Sequence, residues 1–535
     1  MREQPTQILK ESCQHKEGLF ADIILRNALF HPSREAFIYG DRRITFKQYN
    51  DRVNSLIHAL RDMGVKKGDV IGVLSWNCLE YADVFGAAEK GGFIISPFNV
   101  RLSTGELAYL INDSEANTLF VGPELGDMVD ILKPEMANVK RFISFECSLP
   151  GMEYQADLLA HYPTSEPDIQ IDDNDALYIG YTSGTTGKPR GALYTHGRFR
   201  EDILCHVIEV PIESEDRCIS LMPPFHVGGI IEQAYFFYRA ASTVVMKLFD
   251  PRATLEIIEK EKITNIALVP TMLVAMLDLP DFKKYDVSSI KRVYYAGSPM
   301  PKELLIRGME AFGPVFFQAY GQTESGPEIA FLKEKDHDVL GKSPREQQRL
   351  SSCGRPALGV HVRIVNESGT DVSVGEVGEV IVQSRHIMNE YWKKPKETQE
   401  TIVDGWLHTG DMGWCDEDGY IYLVDRKQDM IVSGGENIYP REVEEVLYQH
   451  PAVLECAVFG IPDKKWVEAI HAVVSLKKGL TATPEELIEF CKKNIARYKA
   501  PKSVEIVDEI PKGGSGKILK REIKKKYWED SERRV

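Results

Sequence analysis

Between about residue 18 and residue 400, short apolar runs alternate with amphipathic stretches of helical period. This alternation favours an α/β layer architecture with largely parallel sheets. Asp69–Ser75, Thr118–Val121, Ala176–Tyr181, Arg292–Ala296 and Pro314–Tyr320 read as its strands. A helix is expected from Thr45, where Gln48 completes a capping box and Tyr49, Val53, Leu56, Ile57 and Leu60 form one buried stripe. From Val360 to Gln383 the texture changes to Val- and Gly-rich antiparallel strands on a smaller sheet. After Asp425-Arg426 a compact α+β segment begins, with Pro440 at a helix N1 position and Val443, Val446 and Leu447 on its apolar face. At 535 residues the chain exceeds one ordinary core, so two or more domains are expected.

The formal net charge of −15 argues against non-specific nucleic-acid binding, which needs a basic footprint, but leaves room for a local basic site. The first residues lack the apolar core of a signal peptide, and no apolar run is long enough to span a bilayer. Nine cysteines lie at irregular intervals without a CxxC pair, which suits reduced thiols in a cytoplasm. Neither a structural zinc site nor a cysteine nucleophile is expected. Oligomeric state is not legible.

The run Tyr181-Thr182-Ser183-Gly184-Thr185-Thr186-Gly187-Lys188-Pro189-Arg190-Gly191 follows one of the buried strands. Glycine lets backbone amides approach an anion, Ser and Thr hydroxyls donate to phosphate oxygens, and Lys188 and Arg190 add charge. It is not a Walker loop: only Thr185 and Thr186 separate Gly184 from Gly187, and Pro189 follows Lys188. The chain's one Gly-Lys-Ser, Gly341-Lys342-Ser343, has Asp336 where the upstream glycine would stand. P-loop kinases and ATPases are thereby disfavoured, and composition alone also admits a Thr/Gly-rich surface turn.

Further polar segments follow apolar strands: Ala296-Gly297-Ser298-Pro299, Gln318-Ala319-Tyr320-Gly321-Gln322-Thr323-Glu324, Trp406-Leu407-His408-Thr409-Gly410-Asp411, Asp425-Arg426, and Pro511-Lys512-Gly513-Gly514-Ser515-Gly516-Lys517-Ile518. In order and spacing these motifs resemble the adenylate-forming superfamily of acyl-CoA synthetases, non-ribosomal adenylation domains and firefly-type luciferases, from about residue 18 to 525. The resemblance implies a large N-terminal domain, residues 1–427, with two mixed or parallel sheets, packed helices and a small antiparallel β subdomain. A small mobile α+β C-terminal lid, residues 428–535, would follow.

By this resemblance Thr182, Ser183, Gly184, Thr185, Thr186, Gly187 and Lys188 grip the β- and γ-phosphates of ATP. Gly297, Ser298 and Pro299 lie along adenine, and Tyr320 stacks on it, with Gln318, Ala319 and Gly321 beside the base. Thr323 contacts phosphate and Glu324 is a Mg²⁺ ligand, a sensible role for one hard oxygen donor beside phosphates. Asp411 accepts from the ribose hydroxyls and Arg426 sits near ribose and phosphate. His226 stands between acyl pocket and nucleotide as a positioning group, since a carboxylate is already ionised near neutral pH. Lys517 inserts between carboxylate and α-phosphate, offsetting charge as two anions meet. Ser433, Gly434 and Gly435 match a strand beside the channel for coenzyme A.

The implied activity is a two-step carboxylate–CoA ligation through an acyl-adenylate, with a carboxylic acid, ATP, Mg²⁺ and CoA as partners. The pivot position departs from the family pattern, with Gln428 where Asp or Lys is usual and Asp429 next. The basic C-terminal stretch, including Lys520, Arg521 and Lys524 to Lys526, is either a solvated helix or a share of a CoA-phosphate site. Gly228, Gly229, Ala319 and Gly321 imply room for more than acetate, leaving medium-chain, aromatic and alicyclic acids open. Rival readings are an adenylation enzyme loading a separate carrier protein, a luciferase-like oxidase, and a catalytically silent nucleotide-binding protein; no carrier domain is expected after Lys517.

Overall fold

In the computed structural model, residues 19–182, 189–297, 300–339, 341–426, 429–433, 436–463, 466–513 and 518–528 are described. The fully buried apolar runs become the centres of two large sheets. Strands β1 (Val70–Leu74), β2 (Ile94–Pro97), β3 (Thr118–Val121), β4 (Arg141–Ser144), β5 (Ala176–Tyr181) and β6 (Gly191–Thr195) run in the order β6-β5-β2-β1-β3-β4 within an eight-stranded sheet. Pairing is parallel from β5 to β4, whereas β6 turns back antiparallel on β5.

The second sheet is nine-stranded. Its central strands are β7 (Arg217–Ser220), β8 (Ser242–Val245), β9 (Asn265–Leu268), β10 (Arg292–Tyr295), β11 (Phe316–Gln322) and β12 (Gly326–Leu332), ordered β12-β11-β10-β9-β7-β8. They pair in parallel from β11 to β8, and β12 folds back antiparallel on β11. One continuous apolar core, including Tyr49, Phe85, Phe199, Phe237, Phe317 and Phe331, packs elements of both sheets together.

The expected helix is α1 (Phe46–Asp62), capped reciprocally by Thr45 and Gln48, with all five stripe residues buried. Helices α2 (His196–Glu209) and α3 (Val227–Tyr238) follow β6 and β7. The expected strands appear within two residues of their reading. β11 starts only at Phe316, beyond Pro314, and runs on to Gln322 because that residue pairs with Gly326 in the hairpin to β12.

The Val- and Gly-rich region forms a separate antiparallel sheet of β13 (His361–Val365), β14 (Gly378–Gln383), β15 (Trp406–Cys415) and β16 (Ile421–Arg426). The C-terminal α+β segment has its own sheet: β17 (Ile431–Ser433), β18 (Glu436–Ile438), β19 (Val453–Asp463), β20 (Val467–Leu476) and β21 (Ser503–Val507). Helix α4 (Pro440–Tyr448) buries Val443, Val446 and Leu447 in a core with Ile431, Val458 and Ile470, and α5 (Lys520–Trp528) closes the described chain. Among the described residues no helix is long and apolar enough to cross a membrane.

Candidate active site

Ligand sites in sheets of this kind gather beyond the carboxyl ends of the parallel strands. At the end of β5, Tyr181 pairs with Gly191 and the Thr182 N–H donates to the Arg190 carbonyl at 2.9 Å. The Thr/Gly-rich loop therefore connects two antiparallel strands, whereas a Walker loop passes from strand into helix. Ser183, Gly184, Thr185, Thr186, Gly187 and Lys188 lie outside the described residues. At the loop's mouth the buried Thr182 Oγ1 has no hydrogen-bond partner among the described residues. A buried hydroxyl with unused capacity there fits a phosphate-bearing ligand.

The β11–β12 hairpin places Thr323 and Glu324 against this mouth. The Thr323 methyl lies 3.1 Å from where a Cβ on Gly180 of β5 would stand. The turn is pinned by Tyr194, whose hydroxyl donates to the Thr323 carbonyl at 2.6 Å and accepts from the Gly326 N–H at 2.8 Å. Glu324 Oε1 accepts from the Tyr391 hydroxyl at 2.7 Å, and the Arg190 guanidinium stands 4.3 Å from the Tyr391 ring centre. Burial first, then the Glu324 charge, pushes the Tyr391 phenol well above its ordinary value, so it remains a donor. Among the described residues there is no group of three or more His, Cys, Asp or Glu side chains able to hold a metal. A lone hard-oxygen donor at Glu324 fits Mg²⁺ brought in on nucleotide phosphates and does not make a self-sufficient metal cage.

On the other side of the same turn, Asp411 of β15 is 7% exposed. Its Oδ2 accepts from the Tyr320 hydroxyl and from Gln322 Nε2, each at 2.6 Å. Gln322 Nε2 also donates to the Thr409 carbonyl at 3.0 Å. These bonds fix the plane of the Tyr320 ring and hold one face of the carboxylate, a suitable preparation for a nucleoside. Across the β15–β16 ladder Asp411 is opposite Arg426, whose side chain is outside the description. Gln318 is half-buried on β11, in register with Tyr295 and Leu332, and Ala319 follows it opposite Phe331. Gly297 leaves β10 at φ +77°, a conformation few other residues adopt, while Ser298 and Pro299 are not described.

His226 is the N-cap of α3, half-buried, with its ring 4.9 Å from that of Phe225. The glycines near it correct the reading that small residues simply make room. A Cβ on Gly229 would lie 2.2 Å from the Pro223 carbonyl oxygen, and one on Gly321 would lie 2.3 Å from the Pro327 carbonyl carbon. Both glycines serve close backbone packing. At Gly228, by contrast, no atom of the described residues outside its own helical turn lies within 4 Å of the Cβ position.

In the C-terminal segment Ser433 is buried and pairs with Glu436, while Gly434 and Gly435 fall outside the described residues, as do Gln428 and Lys517. The segment containing Lys517 is bracketed by a Lys512–Ile518 bridge and by the Leu519 N–H donating to the Pro511 carbonyl at 2.9 Å. Two cations considered for CoA phosphates are engaged internally. Lys520 pairs with half-buried Glu444 at 2.8 Å, and the Glu444 and Asp425 charges hold it protonated against burial. Lys526 pairs with Glu505 at 2.8 Å.

The structure thus joins Thr182, Arg190, Thr323, Glu324 and Tyr391 to Tyr320, Gln322 and Asp411 through one hairpin turn. Tyr391, Tyr194 and the tether at Gln322 were not singled out from sequence, because each acts through a partner distant along the chain. A surface cavity of about 320 Å³ lined by Glu209, Phe331, Lys333 and Arg355 shares none of these site residues.

A family model described as AMP-binding enzyme matches residues 24–392, and one described as AMP-binding enzyme C-terminal domain matches residues 442–517. The chain is 35% identical over 504 residues to a feruloyl-CoA synthase of Amycolatopsis sp, covering 94% of this chain and 98% of that one. It is 33% identical over 513 residues to the fatty acid–[acyl-carrier-protein] ligase ScoC of Streptomyces coeruleorubidus, covering 95% and 96%. The crystal structure of the anthranilate CoA ligase AuaEII in complex with anthranoyl-AMP superposes with a TM-score of 0.87 at 28% identity, covering 95% of this chain and 97% of that chain. The chain belongs to the adenylate-forming superfamily, with the large N-terminal and small C-terminal domains of its AMP-forming acyl-CoA synthetases.

Proposed function

We propose that the protein is an ATP-dependent carboxylate–CoA ligase for a medium-chain, aromatic or alicyclic acid, working in two steps. The carboxylate attacks the α-phosphate of ATP and expels pyrophosphate; the CoA thiol then attacks the acyl-AMP and expels AMP. The observation that carries this reading is the single turn at Thr323, which ties Glu324 and Tyr391 beside the Thr/Gly-rich loop to Tyr320 and Asp411. Phosphate-side and nucleoside-side groups are thereby held at one fixed separation, and preorganised polar groups of this kind need little rearrangement as charge develops.

In this reading residues 183–188 and Thr182 hold the β- and γ-phosphates, Glu324 contacts Mg²⁺, and Asp411 with Arg426 holds the ribose. His226 orients the acid, Lys517 offsets charge in the first step, and Ser433 to Gly435 line the thiol path in the second. We place the domain boundary near residue 428 and the protein in the cytoplasm, the latter because the eight described cysteines are all unbridged. The similarity to a carrier-protein ligase supports a second reading, with a separate carrier protein as acceptor.

The test is pyrophosphate exchange over a panel of carboxylic acids, followed by product analysis with and without CoA. Acid-dependent exchange, AMP formation and a CoA-dependent thioester are expected. ADP as the product overturns the adenylation reading, and acyl-AMP that reacts with a carrier protein but not with CoA transfers the assignment to the second reading.

A further inference from the structure

One carboxylate gathers the chain on both sides of the Thr/Gly-rich loop. Asp113 lies near the end of the helix Thr104–Ser114, its side chain 14% exposed, in a last turn that holds no basic residue. The carbonyl end of a helix dipole disfavours an anion, so the helix itself gains nothing from a carboxylate there. Its partners come from elsewhere in the chain. Oδ2 accepts from the Tyr181 hydroxyl at 3.0 Å, and Oδ1 accepts from Lys394 Nζ at 2.9 Å. Tyr109, one helical turn earlier on the same face, points its hydroxyl at Asp113 Oδ1 and at the Pro189 carbonyl, 3.3 Å from each. Burial first, then the Asp113 charge, push the phenols of Tyr181 and Tyr109 up, so both remain donors. The hydrogen bond to Asp113 raises Lys394, which keeps its charge and offsets that of the carboxylate.

These contacts reach three places around the loop. Tyr181 is the last residue of β5, and Pro189 stands two residues before β6. Lys394 follows the segment that pairs Tyr391 with Ala192 of β6, and its N–H donates to the Tyr391 carbonyl at 2.9 Å. The chain entering the loop, the chain leaving it and the segment that carries Tyr391 thus converge on one side chain. Thr182 comes directly after Tyr181; its N–H is spent on the Arg190 carbonyl, and its buried Oγ1 has no partner among the described residues. A hydroxyl that is to meet a phosphate is most effective when its backbone is locked before the ligand arrives, and bonds to its flanking residues supply that.

We propose that Asp113 is a positioning residue for the polyphosphate of ATP: through Tyr181, Tyr109 and Lys394 it holds Thr182, Arg190 and Tyr391 in place without touching the nucleotide. This deepens the ligase reading and rests on the part of it in which Thr182 meets the β- and γ-phosphates. AMP lacks those two phosphates, so Asp113 serves the binding of ATP and not that of AMP. A network that served stability alone would treat the two ligands alike.

The experiment measures the binding of MgATP and of AMP to the full-length protein by calorimetry, without acid or CoA. Asp113→Ala is expected to weaken MgATP by at least about tenfold, the size of a lost hydrogen bond to a charged group, and to leave AMP within about twofold. Tyr109→Phe, which removes a single hydroxyl, should show the same selectivity at about threefold. Weakening of AMP as large as that of MgATP in folded Asp113→Ala, or no weakening of MgATP, overturns the inference. Where Asp113→Ala does not fold, Tyr109→Phe decides by the same comparison. A wild type without affinity for MgATP overturns the phosphate-binding reading itself, and this inference with it.

Discussion

The Tyr391 hydroxyl holds one oxygen of Glu324 at 2.7 Å while the Tyr391 ring carries the Arg190 guanidinium. Removing the hydroxyl leaves Glu324 free to turn, and a lost charge-assisted hydrogen bond is worth roughly 1.5–3 kcal/mol. Tyr391→Phe is therefore expected to lower kcat/KM for ATP by about tenfold or more and to raise the Mg²⁺ concentration for half-maximal rate, read by titrating the metal at fixed ATP. Glu232 makes a different prediction, in stability. Burial raises its carboxyl from 4.5 to about 8. Between those two values the folded protein keeps a proton that the unfolded chain has released, so stability falls as pH rises through the window. Glu232→Gln, which cannot ionise, should gain on the order of 2–4 kcal/mol over the wild type near pH 8 and almost nothing near pH 5, read by urea unfolding at both. Neither the role of this tyrosine nor the burial of this acid was legible in the sequence. Tyr391 is 67 residues from Glu324, and an acid in an apolar helix ordinarily reads as a solvent-facing turn.

Elements whose determinants are local were legible, and those set by pairing were not. The Thr45–Gln48 box and the stripe from Tyr49 to Leu60 lie within one helix, so sequence spacing alone placed α1. Thr45→Ala should cost about 1 kcal/mol of unfolding free energy without changing KM, since the cap lies outside the site. The strand character of β5 was equally plain from its apolar run. That β6 returns beside it in antiparallel register was not, because no residue of β5 names its partner. The glycines of α3 show the same divide. Gly229 and Gly228 look alike in sequence, yet only Gly229 is pressed against the Pro223 carbonyl. Gly229→Ala is expected to lose about 1–3 kcal/mol and to displace His226, whereas Gly228→Ala should unfold like the wild type, a contrast read by paired thermal melts.

Across the whole molecule, β16 is the last strand of the smaller antiparallel sheet before the C-terminal α+β segment, and it pairs Asp411 with Arg426. Arg441 of α4 reaches back to this strand: its N–H donates to Asp425 at 3.0 Å and its guanidinium to the Leu423 carbonyl at 2.9 Å. Strand β16 and helix α4 of the C-terminal segment are thus linked directly. If that domain delivers Lys517 to the first step alone, Lys517→Ala should slow adenylation by about a hundredfold or more while thioester formation from supplied acyl-adenylate continues. Equal loss in both half-reactions would refute the assignment. Backbone contacts set His226 in place: its N–H donates to the Pro223 carbonyl at 3.1 Å and its carbonyl accepts from the Gly229 N–H at 2.9 Å. Neither bond involves the side chain of a residue further along α3. Substitutions further along α3 can therefore accumulate, residue by residue, without relearning how to hold His226.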